Sequence, residues 1–284
     1  MSGCAYVEGT ALWMDRLPGW EVARAAIRGE VEVPAASAPR PAPTLLAPTE
    51  RRRAPDTVAI ALEVAAKACA AAGRDPGSLA SVFASTHGDL AISDYLCETL
   101  AATPTLLSPT RFHNSVHNAA AGYWTIGNSC RAPSTALTAF AHTFASGLLE
   151  ALMQVECERA PVLFVAYDIP ARGPMATVTE SRGLIGAALV LAPESVAPGA
   201  VRLDWRVAPG TFRAGVAGEP LASLAAGNPM ATGMALFEAL ALEQPGLVAL
   251  SLGRRLALAL DLAAPSYNRA PPHQAGNEWR HGTT

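Results

Sequence analysis

Long basic runs are missing from this 284-residue chain, and charge of either sign is scarce, at 16% of residues. With a formal net charge of -3, neither nucleic acid nor an anionic membrane surface is expected as a partner. No apolar run approaches the ~18 residues of a spanning helix. The start, MSGCAYVEGTALW, lacks a basic segment followed by an apolar one, so Cys4 is not expected to be a signal-peptide or lipoprotein cysteine. Paired cysteines are missing as well. Cys4, Cys69, Cys97, Cys130 and Cys157 make an odd count, widely spaced and with no CxxC, which excludes a disulfide framework or a zinc knuckle. A cytoplasmic location with buried, structural thiols is the expectation. No Walker A, GxGxxG or GxSxG motif stands at a strand-to-helix junction, so nucleotide binding and serine hydrolase chemistry find no support and no cofactor is expected. There is no internal repeat of fixed period.

What is present is an apolar chain, 50% hydrophobic, able to bury a substantial core. Residues 4–14 read as a strand and Gly19 to Arg28 as a short helix. Val31 to Ala47 is a Pro/Ala-rich loop. A long helix runs from Pro55 to Ala72, with Val58, Leu62, Ala65 and Cys69 on one face and Gly73 as its stop. Leu79 to Ser85 is a buried-strand candidate, turned at Thr86–Asp89 into a helix over Ala91–Ala101. The continuous apolar runs PVLFVAYD and LIGAALVL suit interior strands covered on both faces. Past Pro193, VRLDWRV alternates as a half-exposed strand, and Asn228-Pro229 opens a helix with Met230, Met234, Phe237 and Ala241 on its buried stripe. VALSL and LALALDL form a hairpin around Gly253-Arg254-Arg255. The alternation of strands and helices predicts an α/β sandwich with a mixed or parallel sheet, one domain over residues 1–262, followed by a polar, Pro-rich, disordered tail over 263–284.

The chain is organised around Ser108 to Glu150. Small residues between His117 and Gly122 permit close backbone approach; a turn (NSCRAPS), a short apolar run (TALTAF) and a helical stripe of Phe144, Leu148, Leu152 and Val155 follow. Strand, tight elbow, helix is how an α/β protein presents a nucleophile. Here the elbow reads Thr138-Ala139-Phe140-Ala141-His142, and neither Phe140 nor Ala141 can attack anything.

This stretch resembles the N-terminal half of a β-ketoacyl synthase of the thiolase-like superfamily, whose pattern is met by Pro109, Asn118, Ala121, Gly122, Ile126, Pro133 and Ser134 without a gap. The resemblance covers roughly residues 50–195 and implies a thiolase-like α/β fold, completed here by a C-terminal strand, helix and hairpin. It also places the family's nucleophilic cysteine on Ala141, or with a one-residue slip on Phe140 or His142. The family's second half supplies a His pair or His/Asn, whereas after Ser195 this chain has only His273 and His281. Covalent acyl transfer needs an activated thiolate, so no catalytic nucleophile is expected. Chain-length factors of the family have lost the cysteine and pair with an active ketosynthase. Short, truncated ketosynthase-like proteins of aryl-polyene and related pigment systems match best, including the LPGW start and the STAL elbow strand.

The resemblance therefore implies a non-catalytic, chain-length-factor-like subunit in a heterodimer with an active β-ketoacyl synthase. It would serve acyl chains on acyl carrier protein in polyketide, aryl-polyene or fatty-acid-like biosynthesis. The strand carrying the Asn-x-x-Ala-Gly motif would make the dimer contact, and Phe112, Val116, His117, Asn118, Trp124 and Phe140 would line the acyl tunnel or the interface. Two alternatives stay open: a small thioesterase or acyl-transfer enzyme using His142, and a homodimeric scaffold that binds carrier protein. His113 and His117 have the spacing of metal ligands on a helix, but without a third ligand nearby, hydrogen-bonded interface histidines are expected instead of a metal site. Asp168, His87 and Asp89 stand at strand ends, where ligands bind in open α/β sheets; turn-capping is their structural reading.

Overall fold

The computed structural model describes residues 1–195, 197–210 and 215–263; the expected tail from 264 onward, with His273 and His281, lies outside the described residues. The strands are β1 (Ser2–Met14), β2 (Leu17–Pro18), β3 (Ala80–Ala84), β4 (Ser134–Leu137), β5 (Val162–Asp168), β6 (Ile185–Ala192), β7 (Val201–Pro209), β8 (Gly246–Gly253) and β9 (Leu256–Leu262). The helices are α1 (Trp20–Ile27), α2 (Pro48–Arg53), α3 (Asp56–Ala72), α4 (Leu90–Ala102), α5 (Pro109–His113), α6 (Ala119–Gly127), α7 (Thr143–Glu158), α8 (Leu221–Leu224) and α9 (Met234–Leu242).

The two unbroken apolar runs dictate the architecture. Every residue of β5 and β6 is buried, which requires cover on both faces of the sheet. The alternation of β5 shows the two layers. Val162, Phe164 and Ala166 face a core built with Phe144, Leu148, Leu152 and Val155 of α7, extended by residues of α1 and α9. Leu163, Val165 and Tyr167 face a second core built with α3 and α6. The strands hydrogen-bond in the order β4-β3-β5-β6-β1-β7-β9-β8, with β2 on β1. Only β3 with β4 and β3 with β5 are parallel; the rest of the sheet is antiparallel. The sheet is thus mixed, one of the two forms expected.

The expected stripe of α7 is fully buried. Its approach to β3 is so close that a Cβ on Gly147 would stand 2.6 Å from the Ala84 Cβ. α3 ends at Gly73, whose left-handed φ of 63° suits glycine. Two expectations are corrected. The Asn-x-x-Ala-Gly segment is not a strand: Ala119 to Gly127 form α6, because a run of alanines favours a helix wherever no strand neighbour claims it. Nor are all thiols buried. Cys69 is, and burial pushes its thiol up to about 12, but Cys97 on α4 and Cys157 on α7 are exposed, on helix faces turned from the sheet.

Candidate functional site

The carboxyl ends of the three parallel strands converge on one turn, Ser85 to Gly88, and Asp168 at the end of β5 organises it. Its carboxylate accepts from Ser85 Oγ at 2.8 Å, from the Thr86 N–H at 3.1 Å and from the His87 N–H at 3.4 Å. Ser85 Oγ in turn accepts the Gly88 N–H at 2.9 Å. Only 1% of Asp168 is exposed; burial raises its carboxyl above the ordinary range against the pull of these hydrogen bonds. Asp89 caps α4, accepting from the Ile92 N–H and from Thr57 Oγ1, each at 2.8 Å. Burial raises it too. Both carboxylates are occupied by turn and cap, the structural reading of these strand ends.

Beside this turn stands the elbow. Thr138 Oγ1 donates to the Thr86 carbonyl at 2.9 Å. Thr143 Oγ1 accepts the Ala139 N–H at 3.0 Å and donates to the Phe140 carbonyl at 2.7 Å. The Nδ1 of His142 lies 3.1 Å from the Ser251 carbonyl on β8, which only accepts, so that nitrogen carries the proton. The elbow is therefore tied at three points, and its left-handed residue is Phe140, with φ of 50°. Phe140 and Ala141 are both exposed. The methyl of Ala141 offers neither nucleophile nor acid. The Ser251 bond fixes His142, and no carboxylate hydrogen-bonds to its ring among the described residues. The elbow has the form of a nucleophile platform and carries no thiol; its hydroxyls at Thr138 and Thr143 are engaged in holding the turn.

The other expected site residues separate into two sets. Phe112 (61% exposed) at the end of α5, Val116 (53%) and Phe140 (76%) present apolar surface to solvent, joined by Ile126 (82%) on α6. Asn118 is exposed at the start of α6. His117 binds inward: its Nε2 lies 2.8 Å from the Ser85 carbonyl, on the turn that also receives Thr138. Trp124 is fully buried in the α3/α6 core, with its indole N–H unpartnered, so it belongs to the packing beneath this surface. A cleft of about 380 Å³ between residues 45–50 and α6 is lined by Leu45, His113, Val116, Asn118 and Ile126 among others. His113 ends α5 and His117 lies beyond it, so the two share no helix face. No group of three metal-ligating side chains gathers among the described residues.

Sequence reasoning did not single out Thr138, Thr143 or Ser251, which hold the elbow. A threonine at the head of a helix after a strand is itself a capping signal, so Thr143 was within reach. Ser251, 109 residues from His142, was not.

The fold that positions these residues recurs in known proteins. No curated protein matches the chain. Among solved structures, a chain in the ketosynthase (ApeO) complex with its chain length factor (ApeC) from Xenorhabdus doucetiae is similar, with 20% identity, TM-score 0.67 and coverage of 89% of this chain and 96% of that one. The ishigamide ketosynthase/chain length factor is similar at 15% identity and TM-score 0.67, over 93% of this chain and 100% of that one. A chain of the AntDE:AntF complex, a type II acyl-carrier protein with its ketosynthase bound to the hexaketide, gives TM-score 0.71 at 11% identity, over 93% and 100%. At such identities these likenesses establish a shared thiolase-like fold. The family model for the β-ketoacyl synthase N-terminal domain matches residues 26–213, about two thirds of the sequence. The chain is a member of the β-ketoacyl synthase N-terminal domain family.

Proposed function

We propose that this protein is a non-catalytic, chain-length-factor-like subunit. It pairs with an active β-ketoacyl synthase and helps to shape the space into which a carrier-protein-bound acyl chain grows, in polyketide, aryl-polyene or fatty-acid-like synthesis. One observation carries the proposal: a strand, elbow and helix are firmly tied, while Phe140 and Ala141, on which the family resemblance would put the nucleophilic cysteine, carry no thiol. A platform kept without its nucleophile is consistent with a role in assembly.

The surface supports the same reading. β4 ends the sheet, and its other edge is unpaired among the described residues. An unpaired edge is a template for strand addition, and the exposed apolar side chains Phe112, Val116, Ile126 and Phe140 belong to the segments that precede and follow β4 in sequence. Apolar patches beside an open edge mark interaction sites.

Co-expression with a ketosynthase, followed by size-exclusion chromatography and a condensation assay, tests the proposal. A heterodimer is expected, active only while the ketosynthase keeps its own cysteine. A chain that elutes only as a homodimer in the presence of the ketosynthase, or that condenses acyl groups alone, refutes it.

A further inference from the structure

Four described residues other than glycine have left-handed backbone: Ser129, Phe140, Arg159 and Glu243. Three are polar and close helices. Arg159 and Glu243 are the C-terminal caps of α7 and α9, and Ser129 follows the cap of α6. That is the usual place for this conformation. Phe140 is the exception. It is apolar, it leads into a helix, and an aromatic side chain gains nothing locally from a φ that favours glycine and asparagine.

The ring is also unpaid within the chain. Phe144, one turn later, is fully buried, with its ring 5.3 Å from Phe164 and 6.3 Å from Phe237. Phe140 stays 76% exposed. Meanwhile the backbone on both sides of it is held by Thr138, Thr143 and His142, so the ring is displayed from a fixed base. Backbone strain that persists because its surroundings impose it marks functional positions. A rigidly displayed aromatic is what a protein interface uses as an anchor, since little freedom remains to be lost on docking.

Resting on the proposed pairing, we infer that Phe140 is the anchor of that interface, a ring held in a strained display and inserted into an apolar pocket of the ketosynthase partner. Its place favours a protein occupant. It follows β4 by three residues, so a chain paired along that edge reaches it. The turn at Ser85–Thr86, which receives Thr138 on one side, receives His117 on the other. That brings the elbow next to the segment bearing exposed Val116.

The test uses the full chain, a ketosynthase that pairs with it, and two variants. Phe140→Asn relieves the strain and removes the ring, so its Tm should rise by about 2–4 °C while affinity for the ketosynthase falls about 10–100-fold. Phe140→Ala removes the ring and keeps a Cβ at the strained position, so the affinity falls equally without the rise in Tm. A residue that merely packs would lower Tm on truncation. If the wild-type chain does not pair, the proposed function fails first. If it pairs and both variants bind at wild-type affinity, or if the asparagine variant is no more stable than the wild type, the anchor assignment is overturned.

Discussion

Proline at Ala136 separates the two edges of β4. The Ser81 N–H donates to the Pro133 carbonyl and the Ser85 N–H to the Leu137 carbonyl. By the alternation of a parallel ladder, Pro133, Thr135 and Leu137 turn their backbone groups toward β3, and Ser134 and Ala136 turn theirs outward. Ala136→Pro therefore removes no bond of the β3–β4 ladder, and proline is tolerated on an edge strand. The stability of the isolated chain should change by no more than about 1 kcal/mol. Strand addition along the outer edge loses one donor, worth about 0.5–1.5 kcal/mol, and meets the ring where a neighbouring strand must approach. The affinity for a ketosynthase should fall at least about tenfold, 1.4 kcal/mol or more. Leu137→Pro provides the contrast, because it deletes an inward N–H and should lower Tm before any partner is added. Thermal melts and binding titrations on the three proteins decide the matter. An Ala136→Pro chain that is folded and binds at wild-type affinity shows that the partner does not use this edge.

Three further outcomes follow from the interior. Gly147→Ala places a methyl 2.6 Å from the Ala84 Cβ and should destabilise the chain by about 1–3 kcal/mol, read as a lower midpoint in denaturant. Because burial raises Asp168, the stability it contributes is complete below the ordinary carboxylate value, about pH 4, and is lost as pH rises through its raised value. The Tm of Asp168→Asn minus that of the wild type should therefore grow with pH across this window and then level, and a pH-independent difference refutes it. His142→Ala removes the bond to Ser251 and should lower stability by about 0.5–1.5 kcal/mol. Acyl-thioester hydrolysis by the isolated chain should stay at the buffer rate with or without the change; hydrolysis that disappears in the variant would establish the enzyme reading instead.

Where burial has a period, the sequence was legible. The stripe Phe144, Leu148, Leu152, Val155 and the runs of β5 and β6 appear in the fold as read, because their apolar spacing is dictated by which faces meet the core. The segment around Ala121 and Gly122 gave no such signal. Small side chains leave no apolar period to read, and the helical preference of its alanines, together with packing against α3 and the sheet, made it α6. The exposure of Cys97 and Cys157 depends on which helix faces are left uncovered, which long-range packing decides. At the site, the elbow could be read because a strand-to-helix junction is local. The placement of β1 between β6 and β7, the reach of Ser251 to His142 and the left-handed φ of Phe140 arise from pairings distant in sequence.

The ties of the elbow do not depend on a reactive side chain at its tip. Of the side chains that hold it, only His142 stands at one of the three positions the resemblance offers the nucleophile, and neither Ala141 nor Phe140 contributes a side-chain bond. Thr138 anchors it to the turn after β3, Thr143 closes it from within α7, and His142 ties it to the C-terminal hairpin. A thiol at Ala141 would leave these ties as they are, so stability alone would neither preserve nor remove such chemistry. It also gives no reason to keep Phe140 strained and exposed beside an open sheet edge. An aromatic ring left in water forgoes about 1.5–3 kcal/mol of burial, and its left-handed backbone costs about 1–2 kcal/mol more. A lone chain could recover both by substitution. A chain that docks this face would recover the burial term on association, as the proposed pairing requires.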